Sequence, residues 1–202
     1  QYIKANYDHF NNDDTSPDMM ARIDEKSRKS EEVWGRQGLA ITHQASGMAP
    51  FPSSGEHGWF SINRTLLSDG YVSETMDGKQ VAPLMGDYTD NSVGTLRLRT
   101  VPNMWCHASC DHLVSTRLLP IDKATTEVRV IWSVEEKAEE GRDYDLEKLM
   151  PFWQLTSEQD WKLCEAAQLG VQSSGYRPGP YSKNKEYNVE RFVRWYLNEL
   201  AK

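Results

Sequence analysis

Apolar positions change their rhythm three times along the chain. Met20, Ile23, Val33 and Trp34 recur at helical spacing behind Ser16-Pro17. That pair offers an N-cap and a proline at the first helical position, where its missing N–H does no harm. An amphipathic helix ending near Gly38 is predicted, then a Gly/Pro/Ser-rich loop, GMAPFPSSGEHG. From Trp59 strand-like alternation takes over. Trp59–Leu67 and Tyr71–Met76 read as strands, and Asp77-Gly78 signals a tight hairpin before Lys79–Ala82. Thr95–Trp105 reads as one strand, with Leu96 and Leu98 on one face and Arg97 and Arg99 on the other. His112–Leu119 and Thr126–Val134 continue the sheet, and Val128, Val130, Trp132 and Val134 share a side. Helical spacing then returns in three pieces. Tyr144–Trp153 is a short helix; a capping box of Thr156 and Gln159 opens a longer one to about Gly170; a last helix follows the loop SSGYRPGPYS over residues 186–201. Short connections make the strands antiparallel. Strands first and helices after predict an α+β fold, an antiparallel sheet with helices packed on one face.

Length and composition narrow this to one domain. The 202 residues, 38% of them hydrophobic, suffice for a single core and not for two. A net charge of −7 repels phosphate backbones, so no nucleic-acid partner is expected. No apolar run approaches the ~20 residues of a membrane span, and no secretory pattern is present. Three cysteines, Cys106, Cys110 and Cys164, are an odd and sparse set that suits a reducing cytoplasm better than a disulfide framework. The opening QYIKANYDHFNNDD is polar and begins with Gln1, which suggests a piece of a longer protein.

Asp160 is the most informative single residue. Counted by threes and fours, it shares a helix face with Leu163, Cys164, Ala167 and Val171. A carboxylate on an apolar stripe is expected to face the interior, where it needs a cation, a metal or several hydrogen bonds. The plainer reading is an early-turn Asp complementing the helix dipole. The run WCHASCDH, residues 105–112, crowds Cys106, His107, Cys110, Asp111 and His112 together and invites a zinc reading. Zinc modules usually separate their ligands into two pairs, so a hairpin end with packed cysteines and a hydrogen-bonded Asp is the better account. His9, His43 and His57 have no ligand-like company, and Glu135–Glu140 reads as a solvated turn. The seven tryptophans are spread over every element, so most belong to the core. No phosphate loop, nucleophile elbow or kinase signature is present.

Three stretches taken together resemble the α subunit of Rieske-type non-haem iron oxygenases. PNMWCHASCDHLVSTRLLPID followed by TTEVRVIWSV is similar to that family's central hairpin, from its Pro102-Asn103 start to its Arg117-Leu118-Leu119-Pro120 exit. SEQDWKLCEAAQLGVQSSGYRPGPYS resembles the family's late helix, in which an Asp is followed five residues later by Glu and then by Gln. EYNVERFVRWYLNEL is similar to its terminal helix. The likeness covers most of residues 58–200. YVSETMDGKQVAPLMG looks closest to a branch acting on small quaternary amines.

The resemblance implies a helix-grip-like catalytic domain holding a mononuclear Fe(II) through a 2-His-1-carboxylate triad, with Asp160 as the carboxylate. It also implies dioxygen as co-substrate, electrons from a 2Fe-2S Rieske cluster fed by a ferredoxin or flavin reductase, and a homotrimer. The substrate would be an aromatic ring or a quaternary amine, the latter suited to a Trp/Tyr cage. The family's paired His ligands and Rieske Cys/His pairs are absent from this sequence and are expected upstream, so residues 1–202 read as a partial catalytic domain. His107 and His112 match the hairpin, not the ligand segment, and the role is not carried to them. A non-catalytic small-molecule or lipid-binding α+β module is the alternative, and a zinc module on Cys106, His107, Cys110 and His112 a weaker one.

Overall fold

The structure is a computed structural model and describes residue 5 and residues 17–39, 60–182 and 186–202. Helix α1 (Pro17–Arg36) starts on its proline and ends at Gly38, whose φ of 68° is the left-handed conformation of a helix stop. Five strands follow: β1 (Phe60–Thr65), β2 (Thr95–Thr100), β3 (Met104–Ala108), β4 (Leu113–Pro120) and β5 (Thr126–Ser133). They form one antiparallel meander in the order β1-β2-β3-β4-β5. A one-turn helix α2 (Leu146–Leu149), the long α3 (Pro151–Val171) and α4 (Tyr187–Leu200) complete the chain. This is the predicted α+β class.

Register decides which face is inside. One rung crosses all five strands, Asn63–Arg97–His107–Val114–Trp132. The next reads Ser61–Arg99–Trp105–Thr116–Val130. Phe152 and Trp153, in the first turn of α3, close over this face and form its core with Val114. Burial of these aromatic rings supplies about 2–3 kcal/mol each. The β1–β2 half is nevertheless polar: Ser61, Asn63, Thr65, Thr95 and Arg97 are all buried, while Ile62 on the opposite face is 46% exposed.

Several local expectations are corrected. Tyr71–Met76 and Lys79–Ala82 are not a hairpin but turns and bends. Ser73, Glu74 and Thr75 are consecutively buried, and Ser73 and Glu74 bond to the β3–β4 hairpin end instead of to a strand partner. Thr95–Trp105 is two strands, because the chain reverses at Val101-Pro102-Asn103; a mid-strand proline would lack a ladder donor. Tyr144–Trp153 is interrupted at Met150, and the predicted start at Thr156 lies inside α3. There Thr156 Oγ1 donates to Phe152 O at 2.8 Å, a helix-interior bond and not a cap. Pro151 at the first helical position is the real start signal. The loop at residues 47–58 and the segment 1–15, Ala5 apart, lie outside the described residues.

Candidate functional site

The buried face of the sheet ends at the β3–β4 hairpin, and the segment Val72–Ala82 is folded over that end. Gly78 makes this wrap possible: φ is 79°, and a Cβ there would meet the Tyr71 ring at 2.5 Å. Val72 N–H and Ser73 N–H both donate to Gly78 O, at 2.8 and 3.2 Å. Ser109 Oγ accepts from Glu74 N–H at 3.0 Å, and Met85 N–H donates to Cys110 O at 2.9 Å.

Two carboxylate–imidazole pairs sit in this junction. Asp111 and His112 are both fully buried, with His112 Nδ1 2.8 Å from Asp111 Oδ1. Asp111 also accepts from Ser73 Oγ at 2.6 Å and from Val81 N–H at 2.7 Å. Burial opposes its ionisation, but the bonds from His112, Ser73 and Val81 outweigh it and hold the carboxyl below its ordinary value. Asp111 is therefore an acceptor, and His112 Nδ1 is placed to donate to it. Its Nε2 is buried with no hydrogen-bond partner among the described residues. His107 Nδ1 lies 3.4 Å from Glu74 Oε1, and its ring meets Trp153 edge-on at 4.6 Å. Burial lowers the His107 value despite the attraction of Glu74, with Arg97 and Arg99 adding to the lowering. That imidazole is neutral at pH 7.

The run at residues 105–112 is thus a hydrogen-bonded hairpin end. Cys106 and Cys110 are free, buried thiols, both pushed up by burial and so held protonated. Among the described residues no three His, Cys, Asp or Glu side chains gather to hold a metal ion, and the zinc reading has no support in the geometry.

Asp160 is placed differently from the expectation of an interior carboxylate. It lies in the third turn of α3, too far from the N-terminus for the dipole reading, and it is exposed. Its stripe is exposed with it, Leu163 at 69% and Val171 at 49%. Packing against the sheet is limited to the first turn, after which α3 runs on uncovered by any described residue. A 2-His-1-carboxylate site needs three protein ligands, and among the described residues no three such side chains gather at Asp160. By themselves they do not fit the ion. His9, His43 and His57 lie outside the described residues.

Sequence reasoning passed over Asn63, Thr65, Ser73, Glu74, Thr95 and Arg97. Asn63, Thr65, Thr95 and Arg97 lie on alternating strands, whose polar side ordinarily faces water, and Ser73 and Glu74 lie in a loop. The contrary signal is that Arg97 and Trp132 occupy one rung, and only the register shows it.

An open antiparallel sheet with helices following it, and a buried face that is polar in its β1–β2 half, defines the class as an open-sheet α+β domain. The chain belongs to the ring-hydroxylating oxygenase α-subunit family: the model of the ring hydroxylating alpha subunit (catalytic domain) matches residues 27–202. It is 41% identical over 140 residues to the glycine betaine monooxygenase oxygenase subunit of Pseudomonas aeruginosa, covering 69% of this chain and 33% of that protein. The corresponding subunit of Chromohalobacter salexigens is 42% identical over 140 residues, 69% of this chain and 32% of the relative. The chain therefore spans about a third of the length of these curated relatives. Among the described residues no helix is long and apolar enough to cross a membrane.

Proposed function

We propose that this chain is the catalytic-domain portion of an oxygenase α subunit that hydroxylates an N-methyl group of a small quaternary amine, leading to demethylation. The observation that carries the reading is its 41% identity over 140 residues to glycine betaine monooxygenase oxygenase subunits. Asp160 is the proposed carboxylate arm of a ferrous centre, its imidazole partners lying outside the described residues. The exposed Leu163 and Leu169 on the same helix support a reading in which another part of the working subunit covers Asp160 and its stripe. Iron and dioxygen would supply the oxidation, with electrons from a 2Fe-2S Rieske cluster and a ferredoxin or flavin reductase. The chain's own part is to orient the substrate on the buried sheet face, with Phe152 and Trp153 excluding water from above. The assembly is proposed as a cytoplasmic homotrimer.

The test is made on the full-length subunit. Wild type should hold about one mononuclear iron per chain and consume oxygen in the presence of glycine betaine. Asp160→Ala should lose that iron and the oxygen uptake, with its Rieske absorbance and circular dichroism unchanged. Retention of mononuclear iron and turnover in Asp160→Ala would remove Asp160 from the centre. Turnover of aromatic rings with no quaternary amine accepted would move the substrate to the other branch of the family.

A further inference from the structure

We propose that the face of the sheet turned away from Phe152 and Trp153 is a packing surface for the part of the full-length subunit outside these 202 residues, and not for a second copy of the chain. The inference goes beyond the demethylase reading and does not depend on the substrate.

The middle rung of that outer face reads Ile62–Leu98–Cys106–Ser115–Ile131, and the next rung adds Leu96 and Leu113. An antiparallel sheet with one face in water ordinarily turns its polar side outward. Over β1 and β2 the arrangement is reversed. Asn63 and Arg97 are buried, while their chain neighbours Ile62 and Leu98 point to the outer face. Ile62 and Ile131, at the two ends of the middle rung, are 46% and 51% exposed, and Leu96, Leu98 and Leu113 between them are half-buried. Cys106, at the centre, is a free thiol that burial holds protonated, so it adds no charge to the strip. A contiguous apolar strip of this kind marks a contact surface, and its occupant would present aliphatic or aromatic side chains to it.

The size of the strip separates the two occupants. Charge bounds it at opposite corners. Arg64 lies over the Trp34 ring, 5.8 Å from its centroid, at one corner. Arg117 and Arg129 both pair with Glu127 at the other, at 3.2 and 3.4 Å. Strand spacing and residue rise give the strip between these corners a footprint of about 19 by 14 Å, on the order of 270 Å². A lasting contact between separate chains buries about 800 Å² on each partner, because it must offset the loss of translational and rotational freedom. A segment of the same polypeptide is already tethered and needs no such area. Chain for that purpose is at hand: these residues span 33% of the Pseudomonas aeruginosa oxygenase subunit they match, so the larger part of that relative has no counterpart among them.

The test is thiol labelling of the native full-length subunit, resolved by position with peptide mass spectrometry. Ile62→Cys and Ile131→Cys would each be compared with Lys123→Cys, in the exposed β4–β5 connection. Cover by the rest of the subunit should slow both by at least about 10-fold against Lys123→Cys, at protein concentrations above and below the dissociation of any oligomer. A smaller difference at either position overturns the proposal. Protection that vanishes on dilution to single chains overturns it as well, because the cover is then a second copy. Should a cysteine variant fail to fold, hydroxyl-radical footprinting of the unsubstituted subunit decides. Ile62 and Ile131 should then be oxidised at least about 10-fold less than Ile121, which is 59% exposed in the same connection, and comparable oxidation overturns the proposal. Either result leaves the substrate reading where it stands, since both positions lie on the face opposite His107.

Discussion

At the residue scale the most consequential group is Asp111, whose carboxylate collects Ser73, Val81 and His112 into one buried junction. Asp111→Ala strands three donors in the interior. It should cost about 3 kcal/mol, read as a fall in the urea midpoint at pH 7. Because its folded value lies below the unfolded one, the ionised group's contribution is complete above the unfolded value of about 3.9 and is lost as pH falls through the folded value. The acid limb of stability below pH ~4 should therefore be shallower in Asp111→Asn. His107 acts at milder pH. Its lowered value means that the unfolded chain takes up a proton first, so stability is full above about 6.5 and declines on acidification at up to about 1.4 kcal/mol per pH unit. Denaturation of His107→Gln between pH 7 and 5 should show a flatter profile than wild type; an unchanged slope would mean that His107 is not the titrating group. Both residues stood out in the sequence as part of a hairpin end with a hydrogen-bonded Asp, but not the partners they would find. Their partners come from a loop some 30 residues away, Ser73 to Asp111 spanning 38 positions and Glu74 to His107 spanning 33, and no local pattern reports such a contact.

At the element scale α3 is the test case. Read from Thr156, Ser157 would be the first helical residue, a position that welcomes proline. In the structure the helix is continuous from Pro151 to Val171, and Ser157 lies in its second turn. Ser157→Pro should then cost about 3 kcal/mol, measured by chemical denaturation and loss of helical ellipticity. A neutral outcome would restore the two-helix reading. Strands were legible where alternation was bounded by turns, as in β4 and β5. The segment 71–82 was not, because its polar residues are buried by tertiary hydrogen bonds and its Asp77-Gly78 turn folds the chain onto Tyr71 instead of pairing two strands.

At the scale of the whole molecule, the sheet and the first turn of α3 form the packed part, while the later helices display Leu163, Leu169, Leu197 and Leu200 to solvent. Exposed apolar side chains contribute little to folding, so Leu163→Lys with Leu169→Lys should change the stability of this chain by less than about 0.5 kcal/mol. The same pair should reduce its self-association, seen by light scattering. A large loss of stability would mean that α3 is covered within the chain itself.

The sequence by itself determined the class of fold, the order and direction of most strands, the family, and the identity of the residues able to do chemistry. These follow from periodicity, turn residues and local motifs, which act over a few positions. Which face of the sheet is inside was decided only by tertiary structure. Strand alternation defines two faces without saying which one α3 will cover, and Phe152 and Trp153 settle on the side that carries Arg97 and His107. On that side the polar side chains of β1 and β2, ordinarily a solvated surface, are buried.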